Sequence, residues 1–170
     1  MVLRDIDLLK EIDKNAILPT DLKNELRNGA IVNFSISTLD ENLARIVEPG
    51  APKPSERLEA MQKIREEGIS YVPVLPFLSD SEEDLSEMIK NAKDYGASFV
   101  FVGSLTLFGN GAADSKTLYF KFLEKYYPEL LPKYESLYKH SFAPSKEYEK
   151  RLKEKSKRLC EKYGIKNRIV

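Results

Sequence analysis

Residues 31–38 read IVNFSIST, and this stretch decides the fold class of the chain. Apolar and polar side chains alternate along it, with Val32, Phe34 and Ile36 in one set and Asn33, Ser35 and Ser37 in the other. An alternation with a period of two predicts a β-strand with two unlike faces. A parallel strand that helices cover on both faces is usually apolar throughout. The polar set therefore predicts that one face looks into a cavity, as at the mouth of a barrel.

Two further strands are predicted downstream of this stretch. Residues 69–75 are largely apolar but contain Pro73, which suits the end of a strand better than the centre of a ladder. Residues 99–107 are nearly all apolar and are predicted to be buried. Helical segments separate the strands, and this alternation predicts an α/β fold with about three parallel strands.

Capping residues and glycines define the two helices between the strands. Ser55 is the expected N-cap of the first helix, and Gly68 is expected to end it. The second helix is expected to begin at Ser81 or Asp80 and to close at Gly96. Its apolar face is formed by Leu85, Met88, Ile89 and Ala92.

Further helices are predicted on both sides of these units. They cover residues 5–14 and 19–28 before the first strand, and 115–126, 128–139 and 145–163 after the third. We expect one domain over residues 1–170, with βα units in 1–113 and a helical C-terminal extension in 114–170.

Charge balance, the length of apolar runs and the cysteine count limit the classes of function that we expect. Lys and Arg together number 27, as do Asp and Glu, so net charge exerts no bulk attraction toward nucleic acid or acidic lipid. No apolar run approaches the ~20 residues of a membrane span, and the N-terminus lacks the apolar core of a secretory signal. A single cysteine excludes an internal disulfide and favours a cytoplasmic protein.

Polar residues around the first strand form the main candidate site. The hydroxyls of Ser35 and Ser37 lie toward the carboxyl end of the strand, where ligands of α/β proteins bind. The carboxylate of Glu48 and the guanidinium of Arg57 can grip an amino-acid moiety. Two alternatives stay open. The serines can bond to neighbouring backbone or face solvent at an edge, and Glu48 and Arg57 can form a surface ion pair of little energetic value.

Other chemistry-bearing residues point less clearly to a site. His140 is the only histidine, which leaves neither a catalytic triad nor a zinc site in view. Cys160 is expected to be a structural thiol. The glycine-rich loop 109–114 lacks the Lys-Ser/Thr of a phosphate loop and is interpreted as a turn followed by an N-cap.

The C-terminal part is basic and rich in tyrosine. Residues 145–170 contain ten Lys or Arg against four Glu. Basic patches that include aromatic residues can bind single-stranded nucleic acid. Amphipathic helices with tyrosines in the core and a solvated charged face explain the same pattern.

Four stretches carry a family resemblance that covers nearly the whole chain. They are LRDIDLL at 3–9, NFSISTLDENLARIVEPGAPKPSERLEA at 33–60, PVLPFLSDSEEDL at 73–85 and LTLFGNGAADSKTLYFKFL at 105–123. The second is the most specific, because it joins a strand ending in Ser-x-Ser-Thr to Arg-x-x-Glu-Pro and Pro-x-x-Arg-Leu. Together they resemble the radical S-adenosylmethionine (SAM) superfamily, in its spore photoproduct lyase-like branch.

The resemblance implies a fold and a set of cofactor-binding residues. The family fold is a partial (β/α)6 barrel, and this chain resembles its C-terminal half, a partial TIM-type barrel that starts after the third strand. Ser35 and Ser37 would then face SAM from the fourth strand. Glu48 and Arg57 would lie near the same mouth, and Pro73 would mark the end of the fifth strand, close to the adenine.

The chain also departs from the family pattern. Family members hold a 4Fe–4S cluster with three cysteines in a CxxxCxxC loop, and this chain has only Cys160. The cluster supplies the electron that cleaves SAM, and no side chain can replace it. The resemblance therefore implies a non-catalytic half whose iron–sulfur half is on another chain or lost.

Three function classes follow. The first is the SAM- and substrate-side half, which would pair with a cysteine-rich N-terminal-half chain or self-associate through its open edges. The second is a non-catalytic binding module that contacts nucleic acid through the basic C-terminal helix. The third is a stand-alone α/β protein with an unrelated small-molecule site.

Overall fold

A three-stranded parallel sheet forms the centre of the fold. The computed structural model of the chain describes residues 2–26, 28–77 and 81–168. Within them, β1 (Ile31–Ser35), β2 (Ser70–Phe77) and β3 (Phe101–Ser104) are adjacent in chain order, and both pairings are parallel. Chain order is therefore also spatial order, and the predicted α/β class with three parallel strands is confirmed.

Helices connect and flank the strands. They are α1 (Ile6–Asn15), α2 (Glu41–Val47), α3 (Pro54–Glu66), α4 (Glu82–Asp94), α5 (Ser115–Tyr126), α6 (Leu131–Leu137) and α7 (Lys146–Tyr163), with 3-10 turns at Val2–Asp5 and Pro128–Leu130. None of the helices in the described ranges is long and apolar enough to cross a membrane.

The predicted helix faces agree closely with the structure. The buried residues of α4 are Leu85, Met88, Ile89 and Ala92, the face predicted from sequence. The Ser81 hydroxyl accepts the Asp84 amide as the N-cap of α4, at 3.2 Å. The alternative cap, Asp80, lies outside the described residues. Gly96 has a φ of +90°, which ends the helix in a conformation that glycine readily adopts.

Several element boundaries differ from the predictions. Residues 19–26 form hydrogen-bonded turns rather than the helix predicted over 19–28. These residues are mostly exposed, and a helix this short needs a packed apolar face to persist. Ser55 is not the cap of α3, because the helix begins at Pro54, two residues earlier than a cap at Ser55 would require. Proline favours the first helical position.

The first and third strands are shorter than the sequence pattern predicts. β1 ends at Ser35, so Ser37 follows the strand instead of belonging to it. β3 spans only Phe101–Ser104 and is half-buried, although a buried strand was predicted over 99–107. β3 lies at the edge of the described sheet, and an edge strand has a paired neighbour on one side only.

Pro73 lies in the middle of β2, not at its end. Its register partner in β1 is Phe34. The pairing with β3 starts only at Val74, so at Pro73 the strand has no β3 partner. Proline is compatible with this position because a ladder with only one neighbour does not use every backbone N–H.

One hydrophobic core joins the sheet to α3, α4 and α7. Phe34 and Tyr71 meet there in an edge-to-face contact, with ring centroids 6.2 Å apart. Leu152 and Leu159 of α7 belong to the same core, so the last helix packs back against the βα units. Just after it, the amide of Val100 donates to the carbonyl of Lys166, at 2.8 Å.

A second, smaller apolar cluster lies around α5 and α6. Its buried members are Leu107, Leu123, Tyr134 and Tyr138. The Tyr138 hydroxyl donates to the carbonyl of Leu105 at 2.8 Å, which ties α6 to the chain just after β3. The tyrosines of this region are therefore largely packing residues, as one of the two sequence interpretations held.

Candidate ligand site at the end of the first strand

A polar network closes the carboxyl end of β1. Ser37 is buried, and its hydroxyl donates to one oxygen of the Glu48 carboxylate. The other oxygen of that carboxylate accepts from the guanidinium of Arg57. The Arg57 side chain is only 12% exposed and that of Glu48 26%, so the ion pair is largely shielded from water.

Arg57 uses its remaining donors on the backbone. Its Nη1 donates to the carbonyl of Ser35 at 2.7 Å, and its Nε donates to the carbonyl of Pro52 at 2.9 Å. The guanidinium thereby joins the end of β1, the loop before α3 and α3 itself. Both Arg57 and Glu48 are thus engaged within the protein, so they position the strand end and are not presented to a ligand.

Two capped helices hold this network in place. The carboxylate of Asp40 accepts the amides of Asn42 and Leu43, at 2.8 and 3.0 Å, and starts α2. The short helix then places Glu48 directly after its last turn. At the start of α3, the Glu56 carboxylate accepts the amide of Lys53 at 2.8 Å.

A second contact links the beginnings of the same two helices. The Ser55 hydroxyl donates to the Glu41 carboxylate at 2.6 Å, and the Lys53 ammonium lies 3.1 Å from that carboxylate. These hydrogen bonds from Ser55 and Lys53, with the nearby positive charge, lower the pKa of Glu41. Ser55 therefore acts between α2 and α3 and not as the predicted cap.

The structure brings four of the five predicted cofactor-binding residues together. Ser37, Glu48 and Arg57 bond through their side chains, and Ser35 joins through its carbonyl. The Ser35 side chain is on the exposed face of β1. Pro73 is fully buried and shares the face of Phe34, since register partners in neighbouring strands point the same way. It therefore lies on the opposite side of the sheet from Ser35.

The face of β1 that carries Ser35 can be followed across the sheet to β3 by the strand register. Ser35 and Phe101 both pair with Val74, so they occupy one row across the three strands. Gly103 lies two residues beyond Phe101 on the same face of β3, and a Cβ added there would meet nothing within 4 Å. On this face, the backbone at Gly103 of the edge strand β3 is therefore not covered by other groups.

A cavity of about 310 Å³ adjoins the network at Ser37. The loop after β1, α4 and α5 surround it, and aromatic rings of Tyr119, Phe122 and Tyr127 line one side. Asp84 and Glu87 of α4 also line it. Sequence reasoning missed these residues, because α4 and α5 meet here only through tertiary packing. The available signal was the acidic first turn of α4, which lies at the end of the third family-like stretch.

The remaining candidates do not form a metal centre. Within residues 2–26, 28–77 and 81–168, no group of three His, Cys, Asp or Glu side chains is placed to hold a metal ion. Cys160 is buried on α7, and burial raises the pKa of its thiol. His140 is exposed in the segment between α6 and α7.

Comparison with known proteins identified longer relatives. The chain is 32% identical over 138 residues to an uncharacterized protein of Mycobacterium tuberculosis, a match that covers 79% of this chain and 39% of the relative. It is 38% identical over 88 residues to an uncharacterized protein of the Acidianus two-tailed virus, covering 48% of this chain and 29% of that relative. The matched part is thus less than two-fifths of each relative. No family model and no solved structure matches the chain.

Proposed function

We propose that this chain is the SAM- and substrate-side portion of a radical SAM protein of the spore photoproduct lyase-like type. The observation that carries the proposal is the joining of Ser35, Ser37, Glu48 and Arg57 at the end of one strand. The family-like stretch 33–60 contains all four. Their convergence fits a strand end that is held rigidly beside a ligand.

The sheet topology supports a segment of a barrel. Parallel strands in sequential order, with helices packed against the Phe34 face, are what consecutive βα units of a barrel produce. The opposite face carries the exposed Asn33 and Ser35 and would line the interior. The outer side of β1 has no partner strand among the described residues, and such an edge pairs readily with a further strand.

Exposed apolar side chains on α1 support the proposal that further polypeptide packs against this part of the fold. Leu8 and Ile12 of α1 are 59% and 57% exposed and lie one helical turn apart. Contiguous exposed apolar residues of this kind mark surfaces that other protein segments cover. The relatives extend well beyond the matched region, which fits a unit that works together with more polypeptide.

The residues present suit SAM better than they suit the iron–sulfur cluster. Ser35 offers an exposed hydroxyl on the open face, while Glu48 and Arg57 fix the backbone beside it. Cys160, the one cysteine of the chain, lies on α7 and is buried in the core, so the residues of this chain do not fit a cluster. A cysteine-rich polypeptide would have to supply it.

Two measurements test the proposal. Isolation of the chain from its native cells should recover iron and a cysteine-rich companion, and recovery of an iron-free chain alone would contradict the catalytic role. Titration with SAM should show binding that Ser35→Ala weakens by about tenfold, the worth of one or two hydrogen bonds. Ser136→Ala, at an exposed serine of α6, is the matched control and should leave binding unchanged.

A second candidate function is nucleic-acid binding through α7. Lys150, Arg151 and Lys153 are exposed on this helix. Glutamates offset part of the charge, since Arg151 lies 3.8 Å from Glu147 and Lys157 3.9 Å from Glu161. A gel shift that weakens with salt, and disappears on charge reversal at 150, 151 and 155, would support this function. The absence of a shift at low salt would exclude it.

A further inference from the structure

The cavity beside Ser37 has an apolar, aromatic side. Phe122 of α5 stands between two other rings, with centroids 5.6 Å from Tyr119 and 5.6 Å from Tyr127. All three side chains are half-buried and line the cavity. Burial raises the pKa of Tyr119, an effect strengthened by Tyr134, so the Tyr119 hydroxyl stays uncharged. Clustered aromatic faces of this kind favour a flat apolar ligand and attract positive charge.

The rim of the same cavity is acidic. Asp40, Asp84 and Glu87 line it and are exposed, so water can reach their carboxylates. Asp40 caps α2 with one oxygen, whereas no ion pair to Asp84 or Glu87 occurs among the described residues. Glu82, on another side of α4, is paired with Arg158 at 2.5 Å. Among the described residues, Asp84 and Glu87 therefore lack an ion-pair partner of the kind that Glu82 has in Arg158.

Among the described residues, the cavity lining is without positive side chains. In the described part of the chain, no lysine, arginine or histidine lines it. The nearest guanidinium in the polar network, that of Arg57, is already bonded to Glu48 and two carbonyls. An anionic ligand would lose its hydration and face three carboxylates, which costs free energy.

We propose that this cavity binds a small organic cation that carries an aromatic ring. The ring would lie against Phe122 and its neighbours, and the cationic group would face Asp84 and Glu87. The volume of about 310 Å³ is at the lower end of the range for small-molecule sites. The inference goes beyond the proposed function, because it holds whether or not a cluster-bearing polypeptide exists.

Matched probes test the charge selectivity on the unaltered chain. Tryptamine and indole-3-propionate share a ring and differ in the sign of their charge. We expect tryptamine to bind at least about tenfold more tightly in a calorimetric or NMR titration, as one favourable charge contact at a partly desolvated site would give. Equal affinity for the two probes, preference for the anion, or no saturable tryptamine binding at millimolar concentration would each overturn the proposal.

Neutral variants locate the bound charge. Glu87→Gln and Asp84→Asn should each weaken tryptamine by about threefold to tenfold, and the effect should shrink at high salt. Glu124→Gln, at an exposed carboxylate of α5 outside the cavity, should change nothing. Equal effects of Glu87→Gln and Glu124→Gln would contradict the assignment. Tryptamine binding without SAM binding would refute only the proposed function, and the reverse would refute only this inference.

Discussion

Arg57 donates to the carboxylate of Glu48 at the point where β1 ends, and the pair is mostly shielded from water. The same guanidinium holds the carbonyls of Ser35 and Pro52. Removing the Arg57 side chain leaves one oxygen of that carboxylate and two carbonyls without these donors. Arg57→Ala should therefore lower the free energy of unfolding by about 2–3 kcal/mol, measured by urea denaturation.

Companion variants separate the ion pair from the other contacts of Arg57. Glu48→Gln keeps the shape and should cost about 1 kcal/mol. Arg45→Ala, at an exposed arginine of α2, should stay within about 0.5 kcal/mol of the unaltered protein. If Arg57→Ala were as mild as Arg45→Ala, the network would not stabilise the strand end.

Two leucines differ sharply in burial and provide a test of the core. Leu85 of α4 is fully buried, and Leu118 of α5 is 51% exposed. Leu85→Ala should destabilise by about 2–5 kcal/mol, because it loses buried apolar contacts and leaves a cavity. Leu118→Ala should change stability by less than about 0.5 kcal/mol. Similar losses at both positions would mean that α4 does not pack as described.

Asp13 gives the fold an acid-sensitive contact before β1. Burial acts to raise the pKa of this carboxyl, but hydrogen bonds from Asn28, Ala30 and Gly29 outweigh it, and the pKa falls below its ordinary value of 3.8. The carboxylate therefore stabilises the fold fully above about pH 4, and the contribution is lost as pH falls through the lowered value. Asp13→Asn should destabilise at neutral pH, and its difference from the unaltered protein should narrow as pH falls below 3.8 toward the lowered pKa.

Chemical denaturation at a series of pH values measures that difference. Asp7→Asn, on the same helix but at an exposed carboxylate, is the matched control. A constant difference between the unaltered chain and Asp13→Asn from neutral to acid pH would show that the carboxylate does not hold the strand start.

Cys160 reports on the docking of α7. Its side chain is 2% exposed, and burial raises the pKa of the thiol. A thiol reagent should thus modify the folded chain about a hundredfold or more slowly than the chain in urea. Rapid modification without denaturant would indicate that α7 leaves the sheet readily.

The regular parts of the fold were predictable from sequence because local pattern and tertiary burial agree there. Leu85, Met88 and Ile89 repeat at helical spacing, and the same residues reach the core. Ser145 was the predicted start of the last helix, and its hydroxyl accepts the Tyr148 amide. At these positions the local signal and the packing favour the same structure.

The differences arise where long-range contacts decide. Pro73 was predicted at a strand end from its missing N–H, yet the late start of the pairing with β3 lets it sit in mid-strand. The short helix α2 escaped prediction, although Asp40 followed by Leu43 is a usable N-terminal signal. The cavity escaped because its walls come from segments some eighty residues apart, such as Ser37 and Tyr119.

The sequence predicted which residues come together at the candidate site, but not how they bond to one another. Four residues do converge, namely Ser35, Ser37, Glu48 and Arg57, but most of their polar groups there are hydrogen-bonded to one another. Sequence could suggest the set but not this internal pairing, because spacing alone does not reveal which donor meets which acceptor. Their role as cofactor contacts stays a prediction.

The backbone of Lys166 bonds to Ser98 and Val100, just before β3, whereas the outer side of β1 pairs with no other described segment. The two edge strands, β1 and β3, therefore differ in how readily a further strand can pair with them. A strand arriving beside β3 would meet Lys166 already bonded to the chain before that strand, while one arriving beside β1 would meet no paired strand among the described residues. Assembly of this sheet with additional strands thus has a built-in direction, from β1 outward.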